Sequence, residues 1–414
     1  MQQERTAGQK AGARVILGDR AVRNITLLVF VFMTGQGIVL PILPLFARSF
    51  GVGYDGVGVF VGAFGFARLF GDLLAGSVVE RKGEGWSATA GGIFLAACAT
   101  ATGLSPSYGV AIVAWALAGI GSAVISGAMF SYILKVAHKD RVARTLSFFF
   151  GAFNIGFVAG GFAGGVVAEN FSLAAPLFVF AGLLLAMVIA YRRFVPPVPK
   201  RAQEVAVGEG SPGASPELAT VRAFFKRPGF LLALVLNFTY LWMVAAVFNT
   251  LFSLFAKDEI GLSTAGVGVV FAITVMAEFF VLFPAGTYSD RFGRRAVLIP
   301  SIVGLIVMVA IMGFMPNVLW FGIAVAVLGC FSGFVGVPPA AVLSDSVPSE
   351  HSGRAVGAFR FAGDLGFFVG PLVAGVSSQN LGFKWAFFLS SLPMLLGLIM
   401  TIRSPETLKR PVAA

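Results

Sequence analysis

Gly286-Thr287-Tyr288-Ser289-Asp290-Arg291-Phe292-Gly293-Arg294-Arg295 closes one long apolar run and precedes the next. Those ten residues hold two glycines, one acid and three arginines. A worn copy stands 210 positions earlier, Gly76-Ser77-Val78-Val79-Glu80-Arg81-Lys82-Gly83-Glu84, and it also closes an apolar run. The same offset relates Gly51 to Gly261 and Gly56-Val57-Gly58-Val59 to Gly266-Val267-Gly268-Val269. It relates Gly119 to Gly329, Arg144 to Arg354, Gly156 to Gly366, Gly160 to Gly370 and Gly165 to Gly375. Chance glycine pairs would scatter over many offsets, so one shared offset marks a duplication.

Composition says what was duplicated. Apolar residues make up 57% of the chain and charged residues 12%, about half the charge of an ordinary soluble domain. Twelve apolar runs, each long enough to cross a bilayer as a helix, fall near 24–46, 56–79, 87–104, 108–134, 146–168, 173–194, 229–255, 265–286, 296–315, 318–343, 355–376 and 384–402. Backbone polar groups in lipid must be paired within their own segment, so these runs are helices. The expected fold is all-α and integral to the membrane, with twelve transmembrane helices in two pseudo-symmetric six-helix halves. The halves cover 24–194 and 229–402, joined by a cytoplasmic linker at 195–228 rich in Pro, Gly, Ser, Ala and charge. Cytoplasmic tails occupy 1–23 and 403–414.

A net charge of +11 raises the question of nucleic acid, and the distribution of charge answers it. Of thirty Lys and Arg residues, only Arg48, Lys257 and Lys384 lie in the odd-numbered connections. That is the positive-inside bias of a multi-pass cell-membrane protein with both termini in the cytoplasm, and no nucleic acid partner is implied. The first run is too long for a signal-peptide core, so it reads as a retained helix. Cys98 and Cys330 both fall inside spans, and no disulfide framework follows. His138 and His351 lie in connections, away from any cluster that suggests a metal. No phosphate-binding glycine loop with Lys and Ser/Thr occurs. The sequence therefore implies no cofactor, no ATP drive and no enzyme.

With these residues in hand, the whole chain resembles a major facilitator superfamily transporter. The loop after span 8 fits that superfamily's signature at Gly286, Asp290, Arg291, Gly293, Arg294 and Arg295. The loop after span 2 fits it at Gly76, Arg81 and Gly83, with Glu80 for Asp and Glu84 for Arg. Span 5 resembles the antiporter signature of the drug–proton antiporter branch through Gly156, Gly160, Gly164 and Gly165, with Gly161 where that pattern has proline. Span 11 keeps Gly366, Gly370 and Pro371 from the same pattern. Trp115 replaces the arginine that the branch often carries before Gly119, and span 1 lacks its acidic residue. The resemblance implies secondary active transport by alternating access. It points to proton-coupled efflux of a small amphipathic organic compound by a monomer, as in multidrug resistance. Uptake or exchange of a small organic anion, with Arg68 and Arg360 binding it, is the alternative. Twelve uninterrupted spans argue against a non-transporting sensor.

The family pairs the loop arginine with an acid at the end of span 4 or 10, which places Arg294 with Asp345. Subtracting 210 from each gives Glu84 with Lys135, a pair with its charges exchanged. The two pairs read either as cytoplasmic latches that hold an outward-facing state or as solvated loop charges. Arg68, Asp72, Glu278, Arg360 and Asp364 lie at membrane depth, where ionisable groups mark pathways. Arg68–Asp72 and Arg360–Asp364 are spaced i, i+4, and spans 2 and 11 meet between the halves in this fold. The four form either one interdomain network or two self-satisfied pairs. Glu278, the repeat mate of Arg68, has no cation within a helical turn. It is the first proton-carrier candidate, followed by Asp72 and Asp364, unless a partner on another span holds it. By resemblance, spans 1, 4, 7 and 10 line the substrate cavity and offer Gln36, Trp115, Asn237, Tyr240, Trp242 and Asn249. Packing or lipid contact is the other reading of those aromatics.

Overall fold

A computed structural model describes residues 18–138, 141–197, 227–347 and 352–406. Most of the expected linker, much of both expected tails and His351 lie outside the described residues. The described chain is helical throughout, with no strand. Its twelve long helices, numbered as the spans, are α1 Arg20–Arg48, α7 Pro228–Asp258 and α10 Val318–Ser346, with α2 Tyr54–Lys82, α3 Glu84–Gly103, α4 Tyr108–Val136, α5 Val142–Asn170 and α6 Ala175–Phe194 in the first half. The second half adds α8 Thr264–Phe292, α9 Arg294–Met312, α11 Ser352–Leu381 and α12 Phe383–Arg403. Eleven are apolar and long enough to cross a membrane. The exception, α3, has the length but is rich in Gly, Ala and Thr. Several helices run a turn beyond the apolar runs, because charged residues at the ends still complete the hydrogen-bond ladder.

The repeat is visible in the backbone. Helices α2 and α8 start and stop 210 residues apart, as do α4 and α10. Gly83 and Gly293 end α2 and α8 with φ of 81° and 108°. Gly51 and Gly261, before the same helices, have φ of 79° and 75°. A side chain is strained in that region, so these four glycines fix the turns that define the duplicated unit.

Three helices depart from regular geometry for local reasons. Helix α1 turns at Leu40–Ile42, where Pro41 removes a donor and crowds the preceding turn. Helix α10 breaks at Val337, before Pro338-Pro339. Helix α7 takes π geometry over Val244–Leu251, and there Thr250 Oγ1 donates to the Ala245 carbonyl at 2.8 Å. Such segments are frequent at functional sites.

Glycines set the closest approaches. A Cβ at Gly156, Gly160 or Gly164 would strike the backbone of α1 at Phe30, Thr34 or Ile38. A Cβ at Gly366 would strike α7 at Phe238, and one at Gly370 would meet the Trp242 carbonyl. Gly156, Gly160, Gly164, Gly366 and Gly370 of the antiporter signature therefore serve close helix packing within each half, while Gly165 packs across the halves on α8. Between halves, α2 meets α11 and α5 meets α8. Outward-facing Leu, Phe, Val and Ile side chains, such as Leu73, Phe280 and Leu319, stay exposed and suit an acyl-chain solvent.

Candidate functional site

Twelve alternating spans put the even-numbered connections, the start of α1 and the end of α12 on one face, here the termini face. The odd-numbered connections form the far face. On the far face the halves are tied together. Arg48, at the end of α1, bridges to Asp258 at the end of α7, its repeat mate. Tyr54 Oη donates to the same carboxylate at 2.9 Å, and the Arg48 guanidinium sits 4.7 Å from the Tyr54 ring centre. The Tyr54 amide donates to Gln379 Oε1 at 2.8 Å, and the Ala265 amide donates to Glu169 Oε2 at 2.5 Å. Beneath these bonds, Gly58 packs on Gly375 and Gly165 on Gly268, backbone against backbone.

Toward the termini face the halves part around a cavity of about 610 Å³. Its wall includes the middle of α1, the termini-side portions of α4, α5, α10 and α11, and the π segment of α7. Of the six side chains expected there, Gln36 and Asn249 line it, while Trp115, Asn237, Tyr240 and Trp242 do not. Each of the four has a competing contact. Trp115 is fully buried and stacked on Phe64, with ring centres 4.9 Å apart. Trp242 donates from its indole to the Ser390 carbonyl at 3.1 Å. Asn237 donates to the Phe359 carbonyl at 2.7 Å. Tyr240 is engaged by Glu278. Sequence reading missed Phe149, Phe150, Phe153 and Phe157 on α5, which line the wall and share their apolar character with every lipid-facing phenylalanine.

Arg68, Asp72, Arg360 and Asp364 meet between α2 and α11. Arg68 Nε lies 3.4 Å from Asp364 Oδ1 and 4.0 Å from Asp72 Oδ2. Arg360 Nη2 donates to both oxygens of Asp72, at 2.9 and 3.0 Å. The pairing therefore crosses between halves. The expected bond between Arg360 and Asp364 within α11 is replaced by Arg360–Asp72 and Arg68–Asp364, because the facing helix brings each cation an opposite charge.

Glu278 occupies the repeat position of Arg68 but turns into its own half. Its carboxylate accepts from Tyr240 Oη at 2.6 Å and from Ser332 Oγ at 3.2 Å. No cation pairs with it among the described residues. The partners come from α7 and α10, at sequence distances that no local spacing reveals.

At the termini face, both swapped pairs are made. Lys135 Nζ lies 2.5 Å from Glu84 Oε1, which also accepts from Ser131 Oγ at 2.8 Å. Arg294 Nε meets Asp345 Oδ2 at 3.2 Å, and Arg294 also bridges to Asp290. Each pair lies within one half, and both hold while the cavity opens on their side. Neither pair joins the two halves directly. A bond internal to a rigid half does not open when the halves rock. Glu406 adds a clamp not foreseen from sequence: its carboxylate accepts from the amides of Arg294 and Arg295 at 3.0 and 3.1 Å, at the start of α9. Gly76, Glu80, Arg81 and Arg291 are exposed, while Gly286 is half-buried beside Val337.

The Major Facilitator Superfamily model matches residues 25–277 and 240–414. An uncharacterized MFS-type transporter of Methanocaldococcus jannaschii is 22% identical over 392 residues, covering 93% of this chain and 98% of its own. The quinolone resistance protein NorA of Staphylococcus aureus is 23% identical over 353 residues, covering 84% and 87%. The crystal structure of the nucleoside transporter NupG superposes with a TM-score of 0.73 at 17% identity, over 92% of this chain and 98% of that one. The chain is a multi-pass membrane transporter, not an enzyme, and belongs to the Major Facilitator Superfamily.

Proposed function

We propose that this protein exports a small, mostly apolar organic compound in exchange for protons, by alternating access, with the termini face in the cytoplasm. The observation that carries the reading is the cavity between the halves, open toward the basic face and closed from the other by the Arg48–Asp258–Tyr54 cluster. Such a site, alternately exposed by rocking of two pseudo-symmetric halves, is what secondary transport needs. Similarity to a quinolone resistance protein supports export of an organic compound. Proton coupling rests on Glu278, a carboxylate at membrane depth without a cation among the described residues, and on Asp72 and Asp364 beside the cavity. Import or exchange of an organic anion is the second reading, favoured by Arg68 and Arg360 on the cavity wall.

A host lacking its major exporters tests the scheme. A panel of neutral, anionic and cationic aromatic compounds should include some that leave the cell faster when the protein is present. An uncoupler should abolish the difference. Glu278→Gln should keep downhill counterflow but lose accumulation against a gradient, because an amide carries no exchangeable proton. Uphill transport undiminished in that variant removes Glu278 from the coupling mechanism, and transport indifferent to the uncoupler removes the proton.

A further inference from the structure

Among the described residues the cavity wall has one sign of charge: of those lining it, only Arg68 and Arg360 are charged. Their acidic partners stand behind them. The side chains of Arg68 and Arg360 are 31% and 35% exposed, those of Asp72 and Asp364 only 12% and 6%. A ligand in the cavity therefore meets guanidinium before it meets carboxylate. Arg68 makes no side-chain hydrogen bond to a described residue: its two close carboxylate contacts are ion pairs at Nε, which is itself buried without a hydrogen-bond partner. A planar fork of free N–H donors is suited to a carboxylate or sulfonate, and it repels an ammonium.

Two further features describe the rest of the ligand. Nine phenylalanines face the cavity, a lining that favours aromatic ring systems through edge and offset stacking. Asn249, on the π segment of α7, is 2% exposed and lines the same cavity. Its Oδ1 is buried and accepts no hydrogen bond from any described residue. A buried acceptor left open is unfavourable unless a ligand fills it.

Resting on the reading of this cavity as the substrate site, we infer that its substrate is an aromatic organic acid, bound as the anion, that also carries an O–H or N–H donor. The acid group docks on Arg68 and Arg360, the rings lie among the phenylalanines, and Asn249 Oδ1 accepts from the donor. Organic cations of the same size are poor ligands.

Three matched compounds test this on the full chain purified into lipid nanodiscs, by equilibrium dialysis. They are 6-hydroxy-2-naphthoate, 2-naphthoate without the donor, and 6-(aminomethyl)-2-naphthol with the charge reversed. The hydroxy acid should bind at least about tenfold more tightly than the amine and about fivefold more tightly than the plain acid. Asn249→Leu should erase the second difference and leave the first. Arg68→Gln should erase the first. If Arg68→Gln fails to fold, since it strips Asp364 of its cation, the wild-type series decides alone. An amine that binds as well as the acid, equal binding of the two acids, or no binding by any compound at about 1 mM overturns the inference. The export reading fails separately, when no compound of the cellular panel moves in an uncoupler-sensitive way.

Discussion

Two seams join the halves, and they share a backbone but not a chemistry. At one, Gly58 of α2 lies on Gly375 of α11; at the other, Gly268 of α8 lies on Gly165 of α5. These are the same pair of positions moved by 210 residues and exchanged between halves. Further in along the same helices, they diverge. The α2·α11 seam holds Arg68, Asp72, Arg360 and Asp364 in crossed pairs. The α5·α8 seam carries Phe157 against Phe271, with ring centres 5.4 Å apart. The repeat mates of Asp72, Arg360 and Asp364 are Leu282, Phe150 and Asn154, and Glu278, the mate of Arg68, bonds within its own half. The duplication kept the geometry that lets the halves rock and left one seam to carry charge.

The largest effect tests the shared part. A Cβ at Gly58 would fall on the Pro371 carbonyl, and a Cβ at Gly268 would stand 2.6 Å from the Gly161 carbonyl. Gly58→Val and Gly268→Val should each prevent far-face closure, at about 1–3 kcal/mol of overpacking. Transport should fall at least about tenfold in both. Initial rates in proteoliposomes at equal reconstitution check this. A seam that accepts valine while its twin does not would mean that the two seams do not close in the same way.

Helix count, duplication and the glycines that set close approach were legible because each rests on local sequence: length, apolarity and spacing along one helix. The four-charge cluster was legible as membership but not as pairing, since i, i+4 spacing favours Arg360 with Asp364 whereas the facing helix joins Arg360 to Asp72. Cavity walls were the least legible part. Whether Trp115 points at a substrate or at Phe64 depends on helix rotation, which an apolar pattern with polar residues on no single face does not fix. The Arg48–Asp258 bridge has a trace in the sequence: Arg48 is one of only three cations in the odd-numbered connections, and its repeat mate is an acid.

A smaller effect is expected at the charged seam. Asp364→Asn leaves the inner contact of Arg68 without its anion. Because Arg68 is about a third exposed, the loss should be near 1–3 kcal/mol, below the range for a fully buried pair. Expected are a lower melting temperature in detergent and a severalfold slower transport. Exchanging both charges, Arg68→Asp with Asp364→Arg, should restore part of the stability. Asn154→Ala, at the mate of Asp364 on the apolar seam, removes only a bond within its own helix to the Phe150 carbonyl and should change neither quantity measurably. If Asp364→Asn is as silent as Asn154→Ala, the crossed network is an incidental contact.

The smallest effect concerns the charge pairs internal to each half, where the duplication preserved attraction and reversed its direction. Glu84 is 3% exposed and receives both Lys135 and Ser131, so its pair with Lys135 is shielded enough to exceed the ordinary surface value. Glu84→Lys sets two cations together, and Lys135→Glu sets two anions together. Each should loosen the loop after α2 from the end of α4 and lower thermal stability. The double variant has the polarity of Arg294 and Asp345 and should recover much of the loss, with an interaction energy of ~0.5–3 kcal/mol. Because the bond lies inside one half and is intact with the cavity open on its own side, stability should respond more than turnover. A cycle read from melting temperature and from initial rate on the same preparations separates the two. Additive single effects would mean that the pair carries no energy. A strong effect on rate with none on stability would mean that the bond breaks during transport, and the halves would then not move as rigid bodies.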